Sequence, residues 1–246
     1  MNMNTNNKVI IMGHKGASKI APENTLKAFK EAIRLKADSV EFDVHETLDG
    51  EIVIIHDDNT LSRTGTEGIV KEMTLKELKK LNFGEGEPIP TLLELIDLAK
   101  DKISLNCEIK VDGIAKKIVQ IFQDADILDT TMVSSFLHAE LIKIQKSEPQ
   151  LKLATLVPNE AGKFSDWNYK KSLIDYTSEN NYYAINPLFK LADKQFIEYA
   201  HEKNVKVFPW TVDSGIAMRK LINNGTDGII TNDIARLKEV LNLISN

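Results

Sequence analysis

The chain has 246 residues, of which 31 are Lys or Arg and 36 are Asp or Glu, giving a net charge of −5. That mild acidity argues against a nucleic-acid binder, which carries a basic stripe. With 42% apolar and 27% charged residues, the composition also excludes a collagen and a disordered tail, and the one cysteine, Cys107, excludes an intramolecular disulfide and suits a reducing compartment.

No segment approaches the ~18 apolar residues of a membrane span. The Asn-rich stretch Met1 to Lys8 has no basic n-region. The apolar run after it, Val9–Met12, is shorter than the ~7–15 residue core of a signal peptide. The expectation is a cytoplasmic chain without a membrane anchor, monomeric or homodimeric, with residues 1–246 forming one domain.

In chain order, Val9–Met12 reads as a strand that stops at Gly13. Asn24 to Lys36 carries Leu26, Phe29 and Ile33 at helical spacing, and Asn24 is the expected N-cap. Ser39–Val44 is a strand, and Ile52–Ile55 is a second extended run after a turn at Asp49-Gly50. Residues 59–90 are irregular, with one helical patch at Leu75–Leu81, and read as an excursion from the core. The whole of about 46–90 is an insertion after the second strand. Thr91 to Lys100 is a helix with Thr91 as cap and Glu94 at capping-box spacing.

Strand-like runs then recur near Ser104–Ile109, Thr131–Ser134, Lys152–Val157, Tyr182–Asn186, Val205–Pro209 and Gly228–Thr231. Helical stretches follow them, near Ile114–Gln123, Ala139–Lys146, Tyr169–Glu179, Lys194–Glu202, Ile216–Asn223 and Ala235–Leu243. With Val9–Met12 and Ser39–Val44 this makes eight βα units, which predicts an α/β fold, a closed (β/α)8 TIM barrel, ahead of a doubly wound open sheet.

In such a barrel the chemistry sits at the C-terminal ends of the strands. Those ends carry Gly13-His14-Lys15-Gly16, Glu41-Phe42-Asp43, Glu108-Ile109-Lys110 and Trp210-Thr211. Alternation along a strand places Glu41 and Asp43 on one face, and Glu108 and Lys110 on one face. Three carboxylates on neighbouring strands can hold a hard cation such as Ca²⁺ or Mg²⁺, whereas the thiol and imidazole spacings of a zinc site are missing. The alternative is a set of solvated edge residues and a Glu108–Lys110 ion pair. His14 and His56 each follow an apolar run and suit acid/base work near neutral pH; the alternative for each is a loop or packed imidazole. His45, His138 and His201 read as packing or surface histidines. Lys15 and Lys110 can meet a phosphate, against the usual surface lysine. Trp210 can line a substrate cleft or pack in the core. Cys107 points away from Glu108 and reads as a small buried hydrophobe.

These residues resemble the glycerophosphodiester phosphodiesterase family. The resemblance runs through Gly13-His14-Lys15-Gly16-Ala17, Pro22-Glu23-Asn24-Thr25, Glu41-Phe42-Asp43-Val44, Thr47-Leu48-Asp49-Gly50 and His56-Asp57. It continues through Arg63-Thr64, Pro90-Thr91-Leu92, Glu108-Ile109-Lys110, Ser135-Phe136, Trp210-Thr211-Val212 and Asp227-Gly228-Ile229-Ile230-Thr231, in order over nearly the whole chain. It implies a TIM barrel with a small insertion, and metal-dependent hydrolysis of a glycerophosphodiester to glycerol 3-phosphate and an alcohol. It further implies Ca²⁺ or Mg²⁺ at Glu41, Asp43 and Glu108, an acid/base pair in His14 and His56, and phosphate or substrate contact at Lys15, Lys110 and Trp210. Lys15 departs from the family's usual Arg, keeping the charge but not the planar fork. Asp213 stands where the family often has Asn, and Asn232 where it often has Asp. A lysophospholipase D-like hydrolase with the same residues, or a non-catalytic phosphodiester-binding barrel, are the alternative readings.

Overall fold

The computed structural model describes residues 8–158 and 164–245; the Asn-rich start up to residue 7 lies outside them. Strands and helices alternate as β1 (Ile10–His14), α1 (Leu26–Arg34), β2 (Ser39–Glu46), β3 (Ile52–Ile54), α2 (Leu61–Thr64), α3 (Leu75–Leu78) and α4 (Leu92–Ala99). They continue with β4 (Ser104–Ile109), α5 (Ala115–Asp124), β5 (Thr131–Ser135), α6 (His138–Ser147), β6 (Lys152–Val157) and α7 (Trp167–Glu179). The last are β7 (Ala184–Pro187), α8 (Lys194–Glu202), β8 (Lys206–Val207), α9 (Gly215–Asn223), β9 (Gly228–Thr231) and α10 (Ile234–Ser245).

The strand order is β8-β7-β6-β5-β4-β2-β1-β9, with every neighbour on this path parallel, and β3 hangs antiparallel from β2. The seam between β8 and β9 is closed by separate backbone bonds: Asp227 N to Val207 O at 3.2 Å and Ile230 N to Pro209 O at 3.0 Å. Pro209 has no N–H to give, so β8 is shorter than its apolar run predicts. The result is the (β/α)8 barrel expected from the sequence, with β3 opening the excursion after the second strand.

Strand alternation sorts the core into two parts. Outward residues such as Val40, Phe42, Cys107, Ile109 and Val133 belong to the large cluster under the helices. Phe29 of α1 meets Phe42 of β2 edge to face, centroids 6.2 Å apart, and both are fully buried, each worth about 1.5–3 kcal/mol. Inward residues Met12, Met132, Ala154, Ala184, Phe208 and Ile230 form a smaller cluster inside the barrel. Cys107 is fully buried on the helix side, as alternation demands.

Helix α4 begins as predicted: the Thr91 side chain accepts from Glu94 N, and the Glu94 side chain accepts from Thr91 N. Helix α1 begins one residue later than predicted. Thr25, not Asn24, is its N-cap, accepting from Ala28 N. Asn24 instead has φ +57, which turns its amide inward. The loop before it is equally constrained. Gly16 has φ +84, and a Cβ there would stand 2.8 Å from the Ala28 carbonyl carbon. Gly16→Ala is expected to lower stability by about 1–3 kcal/mol, read as a fall in the thermal midpoint; an unchanged midpoint would show that the loop is free to move off α1.

Candidate active site

The parallel register between β2 and β4 sets Asp43 opposite Glu108 and Glu41 opposite Asn106. Glu41, Asp43 and Glu108 all point inward, are 3%, 1% and 8% exposed, and bring one carboxylate oxygen each within 4.8 Å of the others. Few groups neutralise them. Lys110 Nζ lies 2.7 Å from Glu108 Oε1 and 3.5 Å from Asp43 Oδ1. Asn24 Nδ2 donates to Asp43 Oδ2 at 2.8 Å, and Lys15 N donates to Glu41 Oε2 at 3.0 Å. Glu41 Oε1 and Asp43 Oδ1 are buried and accept no hydrogen bond. Three clustered carboxylates, two of them with a buried oxygen that accepts no hydrogen bond, are hard oxygen donors that fit a divalent cation. They do not fit zinc, whose preferred thiolates and imidazoles are absent from the cluster.

His14 closes β1 beside this cluster. Its Nδ1 is 2.7 Å from Asn232 Oδ1. Asn232 is itself pinned, donating from Nδ2 to Asp213 Oδ2 at 2.7 Å and from its backbone N to Asp213 Oδ1 at 2.9 Å. A carboxylate only accepts, so the amide oxygen must face His14, which therefore donates from Nδ1. The free Nε2 then faces Glu41 Oε2, 3.9 Å away. Burial pushes the His14 pKa down, and the Asn232 hydrogen bond opposes it.

His56 arrives by a different route. The β2–β3 pairing carries the chain back along β2, and Ile55 N bonds Asp43 O at 3.0 Å, so the next residue reaches the barrel mouth. His56 Nδ1 is 2.7 Å from Asp57 Oδ1, and Ser62 of α2 donates to Asp57 Oδ2 at 2.6 Å. Again the outer nitrogen is held and Nε2 is free. His45 is buried beneath and contacts the His56 carbonyl through Nε2 at 3.1 Å.

His14, His56, Glu41, Glu108, Lys110 and Trp210 all line one cavity of about 120 Å³ at the C-terminal end of the barrel. Trp210 donates from Nε1 to Asn186 O at 2.8 Å and meets Phe136 edge to face, so its ring forms a wall. Lys15 is placed differently. Its backbone touches Glu41, but its side chain is buried and reaches Glu23 Oε1 at 3.2 Å. A larger hollow of about 550 Å³ lies at the opposite end, beside the His201–Asp227–Lys206 cluster, and contains none of these groups. Sequence reading missed Asn24, Asn232 and the inward Asn106 and Ser134, which also line the cavity. Two of them carry a signal in the sequence: Asn24 lies in a family motif but reads as a helix cap, and Asn232 is a departure from the family pattern.

Electrostatics divides the three carboxyls. Burial, then the Asp43 and Glu108 charges, pushes Glu41 well above the usual range. Burial and the Asp43 charge push Glu108 from 4.5 up to about 7. Burial also opposes ionisation of Asp43, but Lys110 and Lys15 outweigh it and hold this carboxyl low. The folded protein thus keeps a proton on Glu108 between pH 4.5 and about 7 that the unfolded chain has released. The contribution of Glu108 to stability therefore falls as pH rises through that window. Urea titrations of metal-free protein should show wild type losing stability relative to Glu108→Gln as pH climbs to about 7, and a constant gap above it. A gap independent of pH would contradict the assignment.

Residues 14–236 match the model of the Glycerophosphoryl diester phosphodiesterase family. A glycerophosphodiester phosphodiesterase of Caldanaerobacter subterraneus subsp. tengcongensis is 38% identical over 239 residues, covering 92% of this chain and 95% of that protein. Among solved structures, the glycerophosphodiester phosphodiesterase of Thermotoga maritima superposes with a TM-score of 0.81 at 26% identity, over 95% of this chain and 98% of that one. A phosphodiesterase of Oleispira antarctica, solved with its product sn-glycerol-3-phosphate, gives a TM-score of 0.81 at 24% identity, over 95% and 96% of the two chains. No helix among the described residues is long and apolar enough to cross a membrane. A barrel of the expected topology, an acidic cluster at its mouth and a family match over nearly the whole length lead to one conclusion: the chain belongs to the glycerophosphoryl diester phosphodiesterase family and is a hydrolase of that class.

Proposed function

We propose that this enzyme hydrolyses a glycerophosphodiester to glycerol 3-phosphate and an alcohol, with His14 and His56 as its acid/base pair and Glu41, Asp43 and Glu108 as ligands of Ca²⁺ or Mg²⁺. The observation that carries the reading is the convergence on one cavity of two histidines with free Nε2 atoms and the carboxylates of Glu41 and Glu108, with Asp43 clustered within 4.8 Å of both. The product named for the Oleispira antarctica protein, sn-glycerol-3-phosphate, supports the substrate class. We take residues 1–246 as one domain, with about 46–90 as the insertion that delivers His56.

When bound, a divalent cation would polarise the phosphoryl group and lower the pKa of a coordinated hydroxyl. The protein's own groups supply the proton transfers. One histidine takes the proton of the attacking oxygen through Nε2, and the other returns a proton to the leaving alcohol. The Asn232 and Asp57 hydrogen bonds keep Nδ1 protonated on each ring, so no turnover is lost to the wrong tautomer. The two rings differ in their holders: a carboxylate, Asp57, meets His56, and a neutral amide, Asn232, meets His14. Lys110, bonded to Glu108 and close to Asp43, brings positive charge to the position of a phosphoryl oxygen. Lys15 would meet substrate only by leaving Glu23, which makes it the weaker phosphate contact. Trp210 would face the glycerol or head group. Ile20, on the loop after β1, and Leu61, at the start of α2, are exposed large apolar residues and favour the second reading, a lysophospholipase D-like activity.

His14→Ala and His56→Ala are each expected to lower kcat by about 10²–10⁴-fold with the circular dichroism spectrum unchanged; near wild-type turnover in either would remove it from the pair. An enzyme-coupled assay for glycerol 3-phosphate, run with glycerophosphocholine, should fall to background in chelator and recover with added Ca²⁺ or Mg²⁺. Activity that persists in excess chelator would refute the cation. Choline release from lysophosphatidylcholine at a comparable rate would establish the second reading.

A further inference from the structure

The interior below the carboxylates is unusual for a barrel core. In a tilted barrel the inward side chains stack in layers of four, each layer drawn from alternate strands. The register fixes those layers. Glu41 opposes Asn106, Glu108 opposes Ser134, Ser134 opposes Ala154, and Leu156 opposes Asn186. With an axial offset of about one residue per strand, Met12, Asn106, Ala154 and Phe208 form one layer. Glu41, Ser134, Asn186 and Ile230 form the next, directly beneath His14, Glu108, Leu156 and Trp210. The contact from Asn106 Nδ2 to Met12 Sδ at 3.4 Å lies within the lower layer and agrees with this placement.

Three members of the middle layer are polar, where barrels ordinarily place branched apolar residues. All are buried: Ser134 and Asn186 are 0% exposed and Glu41 is 3%. Yet Glu41 Oε1, Ser134 Oγ and both amide atoms of Asn186 make no hydrogen bond, nor does Asn106 Oδ1 one layer below. Such atoms are too costly to leave unpaired in a native interior. Their chemistry is complementary: Asn186 and Ser134 can donate, and Glu41, ionised as a cation ligand must be, can only accept. Glu41 and Asn186 also stand on opposite sides of the barrel, β2 facing β7.

We propose that Asn186 and Ser134 are positioning residues for Glu41, acting through one or two water molecules held on the barrel axis. A water there has the two to four polar partners a buried water needs. It would take a hydrogen bond from the Asn186 amide and from the Ser134 hydroxyl, and give its own protons to Glu41 Oε1 and Asn106 Oδ1. Lys15 N already holds the other oxygen, Oε2. With both oxygens held, the carboxylate plane cannot rotate, and Glu41 meets a cation in one orientation. The inference rests on the cation reading of the preceding section.

The test is calorimetric titration of Ca²⁺ and of Mg²⁺ into wild type, Asn186→Leu, Ser134→Ala and Glu41→Gln, with a thermal midpoint for each. Asn186→Leu is expected to weaken cation binding by about 10–100-fold, the range for residues that orient a ligand, and Ser134→Ala in the same direction by less. The Ser134 change removes a single atom, so it keeps the test open if Asn186→Leu does not fold. A shifted midpoint with cation affinity unchanged in every folded variant would assign these residues to packing and overturn the proposal. A wild type that binds neither cation would overturn the cation reading itself, and the positioning role with it. A wild type that binds while Glu41→Gln binds equally well would show that Glu41 is not a ligand.

Discussion

Three carboxylates within 4.8 Å of one another, each buried, are the constraint around which this barrel mouth is organised. Burial removes the water that would screen them, and each disfavours ionisation of the next. The two charges nearest at hand, Lys110 and Lys15, serve Asp43 best. Glu41 and Glu108 remain poorly compensated, which is why their proton affinity rises. The protein has built a concentration of negative potential that its own side chains do not cancel.

Much of the surrounding structure follows from holding those groups still. The β2–β4 register sets the spacing of two carboxylates, and the left-handed turn at Asn24 delivers an amide to a third oxygen. The loop from Gly13 to Gly16 packs so tightly on α1 that its backbone can donate to Glu41. The β3 hairpin folds back along β2 and ends at His56. These are short-range solutions, each resting on a buried backbone that cannot move without disturbing the helix or strand behind it. The floor of the barrel, formed by Met12, Met132, Ala154, Ala184 and Phe208, keeps bulk water from entering from below.

The barrel itself was legible because alternation and helical spacing are local patterns. Strand periodicity alone put Glu41 with Asp43, and Glu108 with Lys110, while sending Cys107 to the helix side. The capping box at Thr91 and Glu94 is equally local. What could not be read are contacts set by closure of the barrel. Asn24 looked like an N-cap because Asn is a good one; the φ that turns it toward Asp43 depends on α1 being docked. Lys15 looked like a phosphate ligand from its neighbours, yet the fold turns its side chain to Glu23. Asn186 and Ser134 close apolar runs and belong to none of the family motifs, although Ser134 directly precedes Ser135-Phe136, and their unmet hydrogen bonds emerge only when four distant strands share a layer. The short β8 comes from a single proline that periodicity cannot weigh.

The two histidines are tethered over very different chain distances. His56 is held by its immediate neighbour, Asp57, whereas His14 is held by Asn232, 218 residues away. Asn232 follows β9, the strand that also closes the barrel seam. During synthesis, then, the carboxylates, both histidines and Lys110 are all in place on the nascent chain long before the His14 ring has its partner. The strand made last in this barrel completes the orientation of the one made first, and a chain that stopped short of Asn232 would carry both histidines and all three carboxylates without the partner that fixes the His14 ring.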